Sequence, residues 1–143
     1  MADRLNNWRA RLTAYLGEWD ATPFSYGSAD CWIFAMGAVE AVTGIDHAGA
    51  VRGYADRDAG LALIREVTGR RSHVDFVYRT FGKLPSVWHA MPGDLATIET
   101  HDGIGLGVVQ GDAIYCLTEA GGLHLVGLDQ ARGAYAIGDK GRT

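Results

Sequence analysis

The sequence predicts an α+β domain with an antiparallel sheet, and three observations carry that prediction. Apolar residues recur at helical steps through the first half of the chain. At Pro92-Gly93-Asp94 the character changes to short apolar segments that read as sequential strands. Glycine, 20 residues of 143, concentrates after Gly103, as tight turns and closely packed strands require. Helices followed by strands place the helices on a face of the sheet. The length and the 48 % apolar content suit one domain spanning residues 1–143.

Leu5, Trp8, Leu12, Tyr15 or Leu16, and Trp19 form an apolar stripe on a first helix, broken by Asp20-Ala21-Thr22-Pro23. The second helix starts near Cys31, with Ser28 or Asp30 as N-cap candidates, and ends at Gly44. Trp32, Ile33, Phe34, Met36, Val39 and Val42 make it apolar on most sides, so it is expected at the centre of the core. Gly37 inside it points to close approach of another backbone, since glycine otherwise costs about 1 kcal/mol in a helix. Ala59–Val67 reads as a short helix closed by Gly69. Ser72, with Asp75 three residues on, opens another that stops at Gly82. Strands are expected at Leu95–Ile98, Ile104–Val109, Ala113–Leu117, Leu123–Leu128 and Tyr135–Ile137.

Charge excludes some functions. A formal net charge of −4 argues against a general nucleic-acid or anionic-membrane binder. No run approaches the roughly 18 apolar residues of a transmembrane helix. The N-terminal Met-Ala-Asp-Arg-Leu-Asn-Asn-Trp lacks a basic stretch followed by an apolar block, so no secretory signal is expected. Cys31 and Cys116 lie far apart without paired spacing. They suggest neither a zinc or iron–sulfur site nor a disulfide, and no cofactor or metal is expected.

The chemistry-bearing segment is Pro23-Phe24-Ser25-Tyr26-Gly27-Ser28-Ala29-Asp30-Cys31. It sets a thiol at a helix N-terminus, where unpaired N–H groups and the helix dipole favour thiolate. The plainer alternative is a cysteine serving as a small buried hydrophobe. A thiolate enzyme also needs a base, most often histidine. Among His47, His73, His89, His101 and His124, His101 stands out because it lies in the turn entering the Ile104–Val109 strand. His124 alternates with Leu123 and Leu125 and should face solvent; His73 and His89 have no distinctive setting. Asp94 reads as a structural turn residue, and Gly103, Gly105 and Gly107 lack the helix and basic residue of a phosphate loop.

Together, the Tyr26-Gly27-Ser28-Ala29-Asp30-Cys31 helix start and the Gly93-Asp94 that begins the sheet resemble the NlpC-type papain-like cell-wall peptidases. The likeness is greatest to a small branch found in bacteriophages and prophages beside tail-tip genes. It runs from about Trp8 to Ile137. The resemblance implies a papain-like domain, its Cys31-bearing helix packed on a C-terminal antiparallel sheet, with Cys31 at the nucleophile position. The family's strand His-Val-Gly-Ile-Tyr corresponds to Gly105-Leu106-Gly107-Val108-Val109, so Gly105 stands where the family carries its catalytic histidine. The third polar position falls near Cys116. Trp32 replaces a small Ser or Gly and could cover the thiol or narrow the cleft. His101, four residues before Gly105, could substitute as base if its turn folds back toward Cys31.

Two functions follow from the resemblance. One is a structural tail-tip or baseplate component with catalysis weak or lost. Its partners would be other phage tail proteins, at the hub or the tail-tube end, with contacts around Tyr54, Trp88 and Tyr135. The other is a cysteine peptidase or amidase that cuts the peptide stems of peptidoglycan during DNA entry, with Cys31 as nucleophile and His101 as base. Either places the protein in the virion, made in the host cytoplasm without a signal peptide. A cytosolic thiol enzyme unrelated to phage, such as an acyltransferase, is a third possibility, with no specific support in the chain.

Overall fold

The computed structural model describes residues 3–138. It is α+β. Four helices, α1 (Trp8–Glu18), α2 (Cys31–Thr43), α3 (Arg57–Thr68) and α4 (His73–Thr80), precede a six-stranded antiparallel sheet. Its strands are β1 (Gly82–Lys83), β2 (Leu95–Thr100), β3 (Gly103–Gln110), β4 (Ala113–Leu117), β5 (Leu123–Gly127) and β6 (Gly133–Ala136). Their order across the sheet is β1-β6-β2-β3-β4-β5. The two-residue β1 is not anticipated by the sequence pattern, which is too short there to alternate.

Helix boundaries follow from local chemistry. Asp30, Asp56 and Ser72 each accept a hydrogen bond from the amide three residues on, at Ile33, Ala59 and Asp75. Gly44 and Gly69 close α2 and α3 in the left-handed conformation at φ 81° and 74°, where a Cβ would be strained. α4 ends at Thr80, before Gly82, because Phe81 turns extended and buries its ring.

α2 is the core helix. Phe34, Ala35, Met36, Ala38, Val39 and Val42 are fully enclosed, between α1 on one side and Leu106 and Val108 of β3 on the other. Gly37 does admit a close neighbour, but it is a side chain: the Tyr15 hydroxyl of α1 lies where a Cβ would stand, donating to the Phe34 carbonyl at 2.8 Å. The opposite sheet face carries a second cluster of Ala96, Ile98, Val109, Ile114, Cys116 and Leu128.

A buried ion pair ties the ends of the fold together. Asp94 accepts from Arg4 Nη2 at 3.0 Å, from the Ile137 amide at 2.9 Å and from the Met91 amide at 2.9 Å. Arg4 also donates to the Ile137 and Pro92 carbonyls. Asp94 is therefore structural, as its sequence setting suggests: it closes the local turn with Met91 and also reaches across the chain to Arg4 and Ile137.

The surface differs from expectation at two aromatic residues. Trp88 is 64 % exposed, but Tyr135 is buried and Tyr54 is half-buried with its hydroxyl bonded to Asp30. His124 faces solvent as expected; so does Leu125, 61 % exposed on the edge strand β5. No helix among the described residues is long and apolar enough to cross a membrane.

Candidate active site

A cavity of about 70 Å³ opens at the N-terminus of α2. Asp30 builds this corner. One carboxylate oxygen accepts from the Ile33 amide at 3.0 Å, and the other from the Gly27 amide at 3.0 Å and from the Tyr54 hydroxyl. Gly27, at φ 82°, lets the preceding loop press against the Gly53–Tyr54 backbone, where a Cβ would collide. The Gly53 amide donates to the Gly27 carbonyl at 2.9 Å. The Cys31 backbone is thus held from both sides.

β3 supplies the opposite wall, and its hydrogen-bond phase decides what meets the thiol. The Val109 amide donates to Asp94 and its carbonyl accepts from Gly93, both at 2.8 Å, so odd-numbered residues of β3 turn their polar groups toward β2. Even-numbered residues turn theirs toward β4. The β3–β4 ladder stops at the pair Gly107–Cys116. Beyond it, the Leu106 amide and the Ile104 carbonyl project into the gap that β4 leaves. The Leu106 main chain lies by the Cys31 thiol and pulls its pKa down. The Ile104 carbonyl accepts from His73 Nε2 at 2.6 Å.

Burial pushes the Cys31 thiol up to about 11, against a smaller opposing pull from the Leu106 amide. Desolvation thus opposes the thiolate that the helix start favours. Burial also pushes Cys116 up to about 12, and both cysteines are free thiols. His73 is 6 % exposed, and burial holds its ring below the ordinary imidazole range, neutral at pH 7.

The residues singled out by sequence fall as follows. Cys31 lines the cavity. Gly105 lines it too, and a Cβ there would lie 3.1 Å from the Thr100 methyl, so a methyl group of β2 approaches the space a side chain would enter. His101 lines the same cavity from its rim: its side chain is 75 % exposed, 3.9 Å from the Glu119 carboxylate. Trp32 is buried, donating to the Val51 carbonyl at 3.2 Å and meeting Phe76 edge-on, and it forms part of the cavity wall. His73 had no distinguishing sequence signal beyond its place after the Ser72 cap. Its docking on β3 is a contact across 31 residues.

The rim is polar. The Tyr26 hydroxyl lies 3.0 Å from Asp102 and 2.8 Å from Glu119, and its single proton serves one carboxylate at a time. Burial and these two acids raise the Tyr26 phenol above its ordinary range. The Thr100 hydroxyl, 2.6 Å away, holds Asp102 below the usual carboxylate range. Arg57 completes the rim from the start of α3. Among the described residues no cluster of three or more His, Cys, Asp or Glu is placed to hold a metal.

Comparison with curated proteins finds no match. A family model does match, over residues 3–137, which takes in every helix and strand described above. The chain accordingly belongs to the family described as domain of unknown function (DUF6950).

Proposed function

We propose that the protein is a tail-tip or baseplate-associated component of a bacteriophage or prophage particle, built on an NlpC-type papain-like fold. The α+β order, the thiol at the start of the central helix and Gly93-Asp94 at the start of the sheet support that fold assignment. One observation carries the structural role. The strand position where such peptidases bear their base is Gly105, and His101 stands exposed on the rim beside Glu119. Peptidase chemistry in its usual form is therefore weak or lost, and the architecture serves assembly with other tail proteins at the hub or tail-tube end. The test is location. An epitope-tagged chain produced during particle assembly should co-purify with intact particles through a density gradient, and gold label should mark the tail tip. Absence from washed particles would overturn the role.

A second reading, a cysteine peptidase or amidase acting on peptidoglycan stem peptides, is favoured by one observation: the buried His73 borders the same cavity as Cys31. Its test is muropeptide release from purified cell walls by the wild-type chain and by Cys31→Ala. Release that survives Cys31→Ala, or no release at all, would refute it.

A further inference from the structure

We propose that His73, carried on α4 rather than on the sheet, is the acid–base partner of Cys31 in acyl transfer. The inference rests on the second reading above for its chemistry, though not on the phage setting. Its basis is the freed edge of β3. Cys31 lies by the Leu106 main chain and His73 meets the Ile104 carbonyl. Amide and carbonyl groups of residues two apart share one strand edge, so these docking points lie within about one two-residue repeat, ~7 Å. Both side chains border one cavity.

The hydrogen bond at Ile104 also sets the tautomer. A carbonyl only accepts, so Nε2 carries the proton and Nδ1 keeps its lone pair. No second hydrogen bond to the ring is present among the described residues, although the ring is 94 % enclosed by its 6 % exposure. The Ile104 carbonyl thus orients the ring as a third catalytic member orients a base elsewhere. The charged groups that act on His73 are Arg57 from the start of α3, Asp30 before α2 and Asp102 from the β2–β3 turn.

The chemistry balances as follows. The Cys31 sulfur attacks an acyl carbon while His73 Nδ1 takes the thiol proton. The carbon–nitrogen bond of an amide then breaks, and the same proton passes to the departing amine. Water attacks the thioester and gives a proton to Nδ1, which returns it to the thiol as the carboxylic acid leaves. First-turn amides of α2 face the developing oxyanion. A thiol neutral at rest needs such a base in the attacking step, which agrees with the desolvated setting of Cys31.

The experiment measures acetylation of Cys31 by p-nitrophenyl acetate, with the adduct located by mass spectrometry. His73→Gln preserves an N–H donor for Ile104 but has no base. It should slow acetylation at pH 7.5 by about 100-fold, as loss of a general base does. Cys31→Ala should give no adduct, and His124→Ala, exposed on β5, should match wild type. The wild-type rate should also show a protonation step below pH 6.5 that His73→Gln lacks. An unchanged rate in His73→Gln, a loss carried by His101→Ala instead, or a wild-type profile with no such step would overturn the proposal. The profile decides the matter even if the variant fails to fold. Presence in or absence from phage particles is read separately, so failure of one proposal leaves the other standing or falling on its own result.

Discussion

Replacing Asp94 with alanine should be among the most damaging single changes outside the cavity. The side chains of Asp94 and Arg4 are both 0 % exposed and meet at 3.0 Å. In the variant the buried Arg4 guanidinium loses the Asp94 carboxylate, while its bonds to the Ile137 and Pro92 carbonyls and its contact with the Trp8 ring do not replace that charge. The Ile137 and Met91 amides lose their acceptor as well. Breaking a buried pair from one side costs about 3–5 kcal/mol, and two orphaned amides push this case toward the upper end. At roughly 2–4 °C per kcal/mol for a domain of this size, Tm should fall by about 10–15 °C. Urea denaturation and calorimetry on Asp94→Ala, Arg4→Met and the double variant measure both the cost and the coupling. The double variant should lose clearly less than the sum of the two, because no unpaired charge is left inside. A cost below about 1 kcal/mol for Asp94→Ala, or strict additivity in the cycle, would refute the reasoning.

Three further outcomes are expected. Asp30→Ala removes the α2 cap and strands the Gly27 amide, so it should cost about 2–4 kcal/mol, while Asp30→Asn, retaining an acceptor, should recover part of it; equal losses in urea melts would count against the capping account. Gly107→Ala drives a methyl into Ile114 and within 3.2 Å of the Cys116 sulfur, and should destabilise by about 1–3 kcal/mol; a variant as stable as wild type would show that β4 yields freely. Stability should also depend on pH at both ends. Burial lowers His73 and His47, so the unfolded chain binds their protons first and stability declines as pH falls below about 6.5. Burial raises Cys31 to about 11 and Cys116 to about 12, so the unfolded thiols ionise first and stability declines as pH climbs from about 9 toward 12. Urea midpoints across pH 5–11 read both limbs, and His73→Phe should flatten the acid one; an acid limb as steep in that variant as in wild type would contradict it.

The elements legible in the sequence are those fixed by local chemistry. The caps at Asp30 and Ser72, the stops at Gly44 and Gly69, and the strand Ala113–Leu117 follow from residues within a turn of each boundary. Cys31 was legible for the same reason. What the sequence left open depends on contacts between distant segments. His73 looks ordinary beside its neighbours, and only the end of the β3–β4 ladder gives it a carbonyl to meet. His101 lies four residues from Gly105 in the chain, yet the Thr100–Gly103 turn directs it to Glu119 on the rim. Tyr135 reads as a surface aromatic until β6 is seen between β1 and β2, with the ring inside.

The junction of Arg4, Asp94 and Ile137 has a further consequence for how the polypeptide is wired. Residues 133 positions apart in sequence touch directly, at 2.8 Å from Arg4 Nε to the Ile137 carbonyl. The first and last described segments thereby meet beside the first residues of β2. A circularly permuted chain, opened at the exposed Glu119–Ala120 turn and joined across that junction, retains every helix and every strand pairing described.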